Sequence, residues 1–177
     1  MKLYKYTDEK NKTGPSYSDH KLLWGNGVTH TTKGRLPILC NSEWIHVFEH
    51  PLQAALLKNY YAGNYSKFWE CEGEVDLRQG HKAGCRKLTT VKELPPPILS
   101  GEDINQIYMR VRKQFGHWPD IDEAVKEMNK PFIPNASTEQ RDIIILLTQD
   151  KPHELFPILE EVYGIERMIQ NGYKEPV

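Results

Sequence analysis

FWECEGEVDL, residues 68–77, alternates without a break. Successive side chains of a strand point to opposite faces, so Glu70, Glu72, Glu74 and Asp76 share one side and Trp69, Cys71, Val75 and Leu77 the other. The apolar row fixes which side of a sheet is core. The acidic row poses the functional question: a solvated face answered by basic neighbours, a surface for a basic partner or cation, or the wall of an active site. After the turn Arg78-Gln79-Gly80, residues 81–94 (HKAGCRKLTTVKEL) predict the partner strand of a hairpin. One natural register sets Asp76 opposite Lys82 and Glu72 opposite Arg86, leaving Glu70 and Glu74 without basic partners. The same register makes Cys71 and Cys85 neighbours on the apolar face, where free cysteines act as small hydrophobes.

Upstream, residues 2–7 alternate as a short strand and 8–20 read as a long turn or mobile loop. The turn Trp24-Gly25-Asn26-Gly27 then precedes a strand over 28–32. Residues 44–50 alternate again, with Trp44, His46, Phe48 and His50 on one face and Ile45 and Val47 on the other. Pro51 ends that strand and suits the first turn of a helix over 51–61. Downstream, Pro95-Pro96-Pro97 can join neither a ladder nor a helix interior and marks a boundary.

Everything beyond that boundary reads as helix. Ser100 with Asp103 caps the stripe Ile104, Ile107, Tyr108, Val111 and Phe115, and Asp120 with Glu123 caps a second helix. Ser137 with Gln140 caps a third, whose apolar run 143–147 predicts the most buried helix, while 155–163 closes at Gly164 and 165–169 adds a short turn. The predicted fold is α+β: an antiparallel sheet with one packed helix in a domain over residues 1–97, then a helical subdomain of three to five helices over 98–177.

The 177 residues carry 23 basic and 24 acidic side chains, a net charge of -1, so no whole-molecule field draws the chain to nucleic acid or an anionic membrane. A composition 38% hydrophobic and 27% charged, with a mean hydropathy of -0.64, reads as soluble and globular rather than disordered. The start, MKLYKYTDEK, has no apolar signal core, and no apolar run approaches a membrane span. Cys40, Cys71 and Cys85 form an odd, widely spaced set, which argues for reduced thiols in the cytoplasm.

Chemical motifs are scarce. His46 and His50 stand about 13 Å apart on a strand, too far to share a metal, and no C-x-x-C pair supplies a zinc site. No G-x-S-x-G elbow or phosphate-binding glycine loop occurs, so no catalytic residue, metal or cofactor is assigned. Arg110, Arg112 and Lys113 read as a solvated helix face, and nucleic acid is not an expected partner. The candidate binding residues are Trp24, His30, Trp44 and His46, an aromatic and histidine face able to line a cleft, with Glu70, Glu72 and Glu74 on the acidic strand.

WGNGVTHTT (24–32), WIHVFEHPLQAALL (44–57), FWECEGEVDL and GCRKLTTVKELPPP (84–97) resemble, in that order, an uncharacterised domain family of phages and prophages. The resemblance covers residues 1–97 and implies a bacterial cytoplasmic setting and an accessory role: a module binding a host or viral protein, including one that blocks a host defence system, or alternatively a virion or assembly component. A second likeness is to ADP-ribosyltransferase-like folds, which implies an NAD- or nucleotide-handling enzyme with its acid on the Glu70 to Glu74 strand. The first strand, LYKYT, lacks the histidine or arginine that such enzymes place there.

Overall fold

The computed structural model describes residues 1–13, 21–39, 42–58, 66–116 and 136–176. Its strands are β1 (Lys2–Thr7), β2 (Lys12–Thr13), β3 (Leu22–Leu23), β4 (Thr29–Thr31), β5 (Ile45–Val47), β6 (Lys67–Gly73), β7 (Leu77–Gln79), β8 (Lys82–Cys85) and β9 (Lys87–Leu94). The helices are α1 (Pro51–Leu57), α2 (Gly101–Phe115), α3 (Ala136–Thr148), α4 (Pro152–Tyr163) and α5 (Ile165–Gln170). The fold is α+β, with antiparallel strands first and most helices after them. Two compact units are present: Met1–Ile98 together with Glu166–Val177, and Leu99–Ile165.

In the first unit, β1-β6-β9-β4 form one sheet, β5-β8-β7 a second and β2-β3 a hairpin, every pairing antiparallel. Arg86 breaks the segment 82–94 into β8 and β9, so a single stretch of chain serves both main sheets. Tyr4 and Phe48 exchange both backbone hydrogen bonds, 2.8 Å each, which ties β1 to the end of β5. The sheets thereby share a buried core of Leu3, Trp24, Ile45, Val47, Trp69, Cys71, Ala83, Cys85 and Leu88, with Val75 packed at its margin. Trp69, Cys71 and Val75 of the 68–77 stretch therefore face the core as the alternation predicts, while Leu77, on β7, is half-buried outside that cluster.

The opposite face of β1 and β6 is aromatic. Tyr4 stacks on Phe68 at 5.6 Å, Tyr6 meets Phe48 edge-on at 6.0 Å, and Tyr173 meets Phe68 edge-on at 6.2 Å. Tyr173 also donates its hydroxyl to Pro95 O at 2.6 Å, which fastens the chain's last turn to the proline segment. α1 is buried along its whole length, Gln53 included. Gln53 explains how a polar residue is tolerated there: its amide donates to His81 O at 3.4 Å and accepts from Glu49 N at 3.1 Å.

The predicted hairpin register does not form. β6 stops at Gly73, where a Cβ would stand 2.9 Å from Lys87 O, and pairs with β9 instead of the residues directly after it. β7 and β8 make their own tight hairpin across Gly80, whose φ of 56° suits glycine. Glu70 consequently faces Lys92, Glu72 faces Thr89 and Gln79 faces Lys82, with a bulge between Glu70 and Cys71. Asp76 accepts from Arg86 N at 2.7 Å rather than meeting Lys82. Cys71 and Cys85 share the core, yet Cys71 lies opposite Thr90 and Cys85 opposite Ile45. Two short strands around a corner keep the same period of two as one long strand, so alternation reads straight through the break.

In the second unit, Ser100 and Asp103 form the predicted capping box: Asp103 N donates to Ser100 Oγ at 3.0 Å and Ser100 N to Asp103 Oδ2 at 2.8 Å. Ile104, Ile107 and Val111 of α2 are buried, with Tyr108 and Phe115 half-buried beside them. Ser100→Ala is expected to lower the unit's stability by about 1 kcal/mol, read from the urea midpoint of the helical signal. α3 begins at Ala136, so Ser137 lies inside the helix and not at its cap. Ile143 and Ile144 are buried but 145–147 are half-buried, so α1, not α3, is the most buried helix among the described residues. The Asp120 and Glu123 pair lies outside the described residues. α4 ends at Gly164, whose φ of 88° stops it. No described helix is long and apolar enough to cross a membrane.

Candidate functional site

Between β4 and β5 runs KGRLPIL, residues 33–39, a segment outside the strands yet held in place along its length. Gly34 N donates to Glu43 O at 3.1 Å and Arg35 N to Glu43 Oε2 at 3.0 Å. Trp44 Nε1 donates to Leu36 O at 2.8 Å. The Gln79 amide then pairs with the backbone as a strand would, donating to Pro37 O at 3.1 Å and accepting from Leu39 N at 2.8 Å. His46 Nε2 is bonded to Leu39 O, and since a carbonyl only accepts, this nitrogen carries the proton.

Packing reinforces the hydrogen bonds. The Arg86 guanidinium lies 5.6 Å from the Trp44 ring and donates to Gly34 O at 3.4 Å. Gly34 has φ 50°, and a Cβ there would stand 2.8 Å from Arg86 Cγ and 2.9 Å from Trp44 Cζ3, so the position requires glycine. Leu39 is fully buried and seated over Gly84, where a Cβ would overlap Leu39 Cδ2. The loop's own side chains go the other way: Leu36 is 50% and Ile38 56% exposed, with Arg35 and Pro37 exposed beside them.

The candidate residues Trp44 and His46 are thus struts beneath this loop. Trp24 and His30 do the same work elsewhere. Trp24 Nε1 donates to Thr13 Oγ1 at 2.7 Å, and Trp24 N to Asn11 O at 2.7 Å. His30 packs edge-on to Trp24 at 4.5 Å while its Nε2 bonds Leu23 O at 2.7 Å, holding the β2-β3 hairpin. The structure commits Trp44 and His46 to the backbone of the 33–39 loop, and Trp24 and His30 to β2 and β3.

The acidic candidates lie on and after β6. Glu70 is nearly buried, its side chain 9% exposed, and sits 3.5 Å from Lys2 Nζ and 3.7 Å from Lys92 Nζ. It therefore has the basic partners that the hairpin register denied it. Glu72 and Glu74 are exposed, Glu74 beyond the end of the strand. Glu70 and Glu72 share a face with Phe68, whereas Lys5, on the opposite face of β1, donates to the backbone carbonyl of His46, whose side chain is bonded to Leu39 O. Acids and histidines do not converge. Because both lysines are half-exposed, Glu70→Gln is expected to cost only about 1 kcal/mol by denaturant unfolding; a loss above about 3 kcal/mol would contradict the paired-surface role.

Lys5 is a site residue that the sequence reading does not single out; on β1 it shares the inward face with Leu3, a member of the buried core. Its Nζ donates to His46 O at 2.9 Å and lies 5.1 Å from the Trp24 ring. Burial pulls its ammonium down to about 8. The neighbouring thiols offer no counter-charge, since burial pushes Cys71 and Cys85 up to about 12. Burial, then the charges of Lys5 and Lys82, hold His46 below the ordinary imidazole value against the hydrogen bond to Leu39. Burial thus favours the neutral ring, while the Nε2 proton that Leu39 O accepts is present in either form.

Cys40 lies outside the described residues. Among the described residues, no group of three or more His, Cys, Asp or Glu is arranged to hold a metal ion. Chemically the site offers a hydrogen-bonded loop with exposed apolar tips and cationic flanks rather than converging acids, bases and nucleophiles. No protein-family model, curated protein or solved structure matches the chain.

Proposed function

We propose that this chain is a non-catalytic binding module for another protein, with residues 34–39 as its contact element. The observation that carries the reading is the fastening of that loop by Trp44, His46, Gln79 and Arg86 while Leu36 and Ile38 project outward. Ordering a backbone costs roughly 1–2 kcal/mol per residue, and a loop ordered on folding spares that cost at the moment of binding. Four side chains, buried Trp44 among them, committed to a segment whose own side chains at 35–38 stay exposed are explained by what the segment meets. The setting is that of a phage or prophage accessory protein acting on a host or viral protein in the bacterial cytoplasm. The buried, unpaired thiols Cys71 and Cys85 are consistent with a reducing compartment.

A photo-crosslinking residue placed at position 36, and separately at exposed Met109 in the helical unit, tests the proposal in bacterial lysate with and without phage gene expression. The expected result is one discrete adduct from position 36, competed away by excess unmodified chain and missing from position 109. Equal adducts from both positions, or none from position 36, would remove the loop from consideration.

A further inference from the structure

We infer that the partner of the 34–39 loop presents an apolar pocket edged by carboxylates; this deepens the binding-module reading and rests on it. Leu36 and Ile38 supply the apolar contact, and exposed cations flank them in the chain or reach the loop: Lys33 and Arg35 along it, and Arg86, which donates to Gly34 O and is followed by exposed Lys87 at the start of β9. Among the described residues, Lys33, Arg35 and Lys87 have no acidic side chain within ion-pair distance.

The acids closest to the rim are turned toward the backbone. Glu43 Oε2 accepts from Arg35 N at 3.0 Å and Asp76 Oδ2 from Arg86 N at 2.7 Å, so both carboxylates brace backbone beside the loop, and Asp76 also faces the Arg86 guanidinium. Arg86 keeps a loose pair with Asp76 at 3.8 Å and is itself 57% exposed at the side chain. An acidic rim on the partner is the complement of this arrangement. Charges at a rim chiefly set encounter rate and salt dependence, while the apolar centre sets residence time.

The test is panning of a random displayed-peptide library on the intact chain, with Leu36→Asp, Arg35→Glu and Arg35→Lys chains as comparisons. These side chains are exposed, so the variants keep the fold, which circular dichroism verifies. The expected result is enrichment of peptides with Asp or Glu flanking Leu, Ile, Phe or Trp. Their capture should fall about tenfold or more in Leu36→Asp and Arg35→Glu, hold within about threefold in Arg35→Lys, and weaken as salt is raised. Peptides without carboxylates that still depend on Leu36, or no enrichment at all, would overturn the assigned chemistry while the crosslinking at position 36 judges the binding reading separately. Enriched peptides captured equally by Leu36→Asp would overturn both.

Discussion

Trp44→Ala is expected to lower the free energy of unfolding by about 3–5 kcal/mol, the range for emptying a buried tryptophan site. Three effects add. The ring is only 6% exposed and forms the floor under Gly34; its N–H holds Leu36 O; and its face carries the Arg86 guanidinium. Trp44→Phe separates them, keeping most of the apolar burial and the stacking surface while losing the donor, and should cost about 1–2 kcal/mol. Urea midpoints followed by circular dichroism give both numbers. A loss under about 1 kcal/mol for the alanine variant is what a tryptophan lining an open cleft would give, and would refute the strut role.

The second large effect is on pH dependence, through Lys5. Its ammonium titrates near 8 in the folded chain against 10.5 in the unfolded one, so between these values the unfolded state binds more protons and stability rises with pH. Cys71 and Cys85 act in the opposite direction. Their folded values near 12 lie above the ordinary 9.0, so above pH 9 the unfolded chain loses thiol protons first and stability falls. The wild-type profile is the sum of these opposed slopes. Comparison with Lys5→Met cancels the thiols, which both chains share, and isolates the lysine. Between pH 8 and pH 10 the stability difference should move by about 2 kcal/mol in favour of the wild type. A difference that stays constant would mean that Lys5 is solvated.

Much of the fold is legible in residues 68–77 and their flanks, because burial imposes a period of two on Trp69 and Cys71 whichever strand lies beside them. The neighbour itself was not legible. Gly73 and Arg86 place a corner in each segment, and a corner that preserves the alternation leaves no mark on the pattern. The capping box at Ser100 was readable because it is local, made within four residues. The candidate site was readable only in part. Trp24, His30, Trp44 and His46 stand out as polar-tipped side chains in a core pattern, but their partners, the Thr13 hydroxyl and the carbonyls of Leu23, Leu36 and Leu39, stand on neighbouring segments, and only the folded chain turns them toward one another. The loop 34–39 carries no motif. Its available signal was Gly34 and Pro37 punctuating Leu36 and Ile38 between two strands, apolar side chains with no strand of their own to bury them.

Everything functional here depends on that loop being ordered before any partner arrives. Backbone ¹⁵N relaxation of the free chain measures it directly, at the amides of Arg35, Leu36, Ile38 and Leu39. Order parameters of about 0.85, equal to those of β8, are the predicted result; values below about 0.6 would mean a flexible loop and contradict the account.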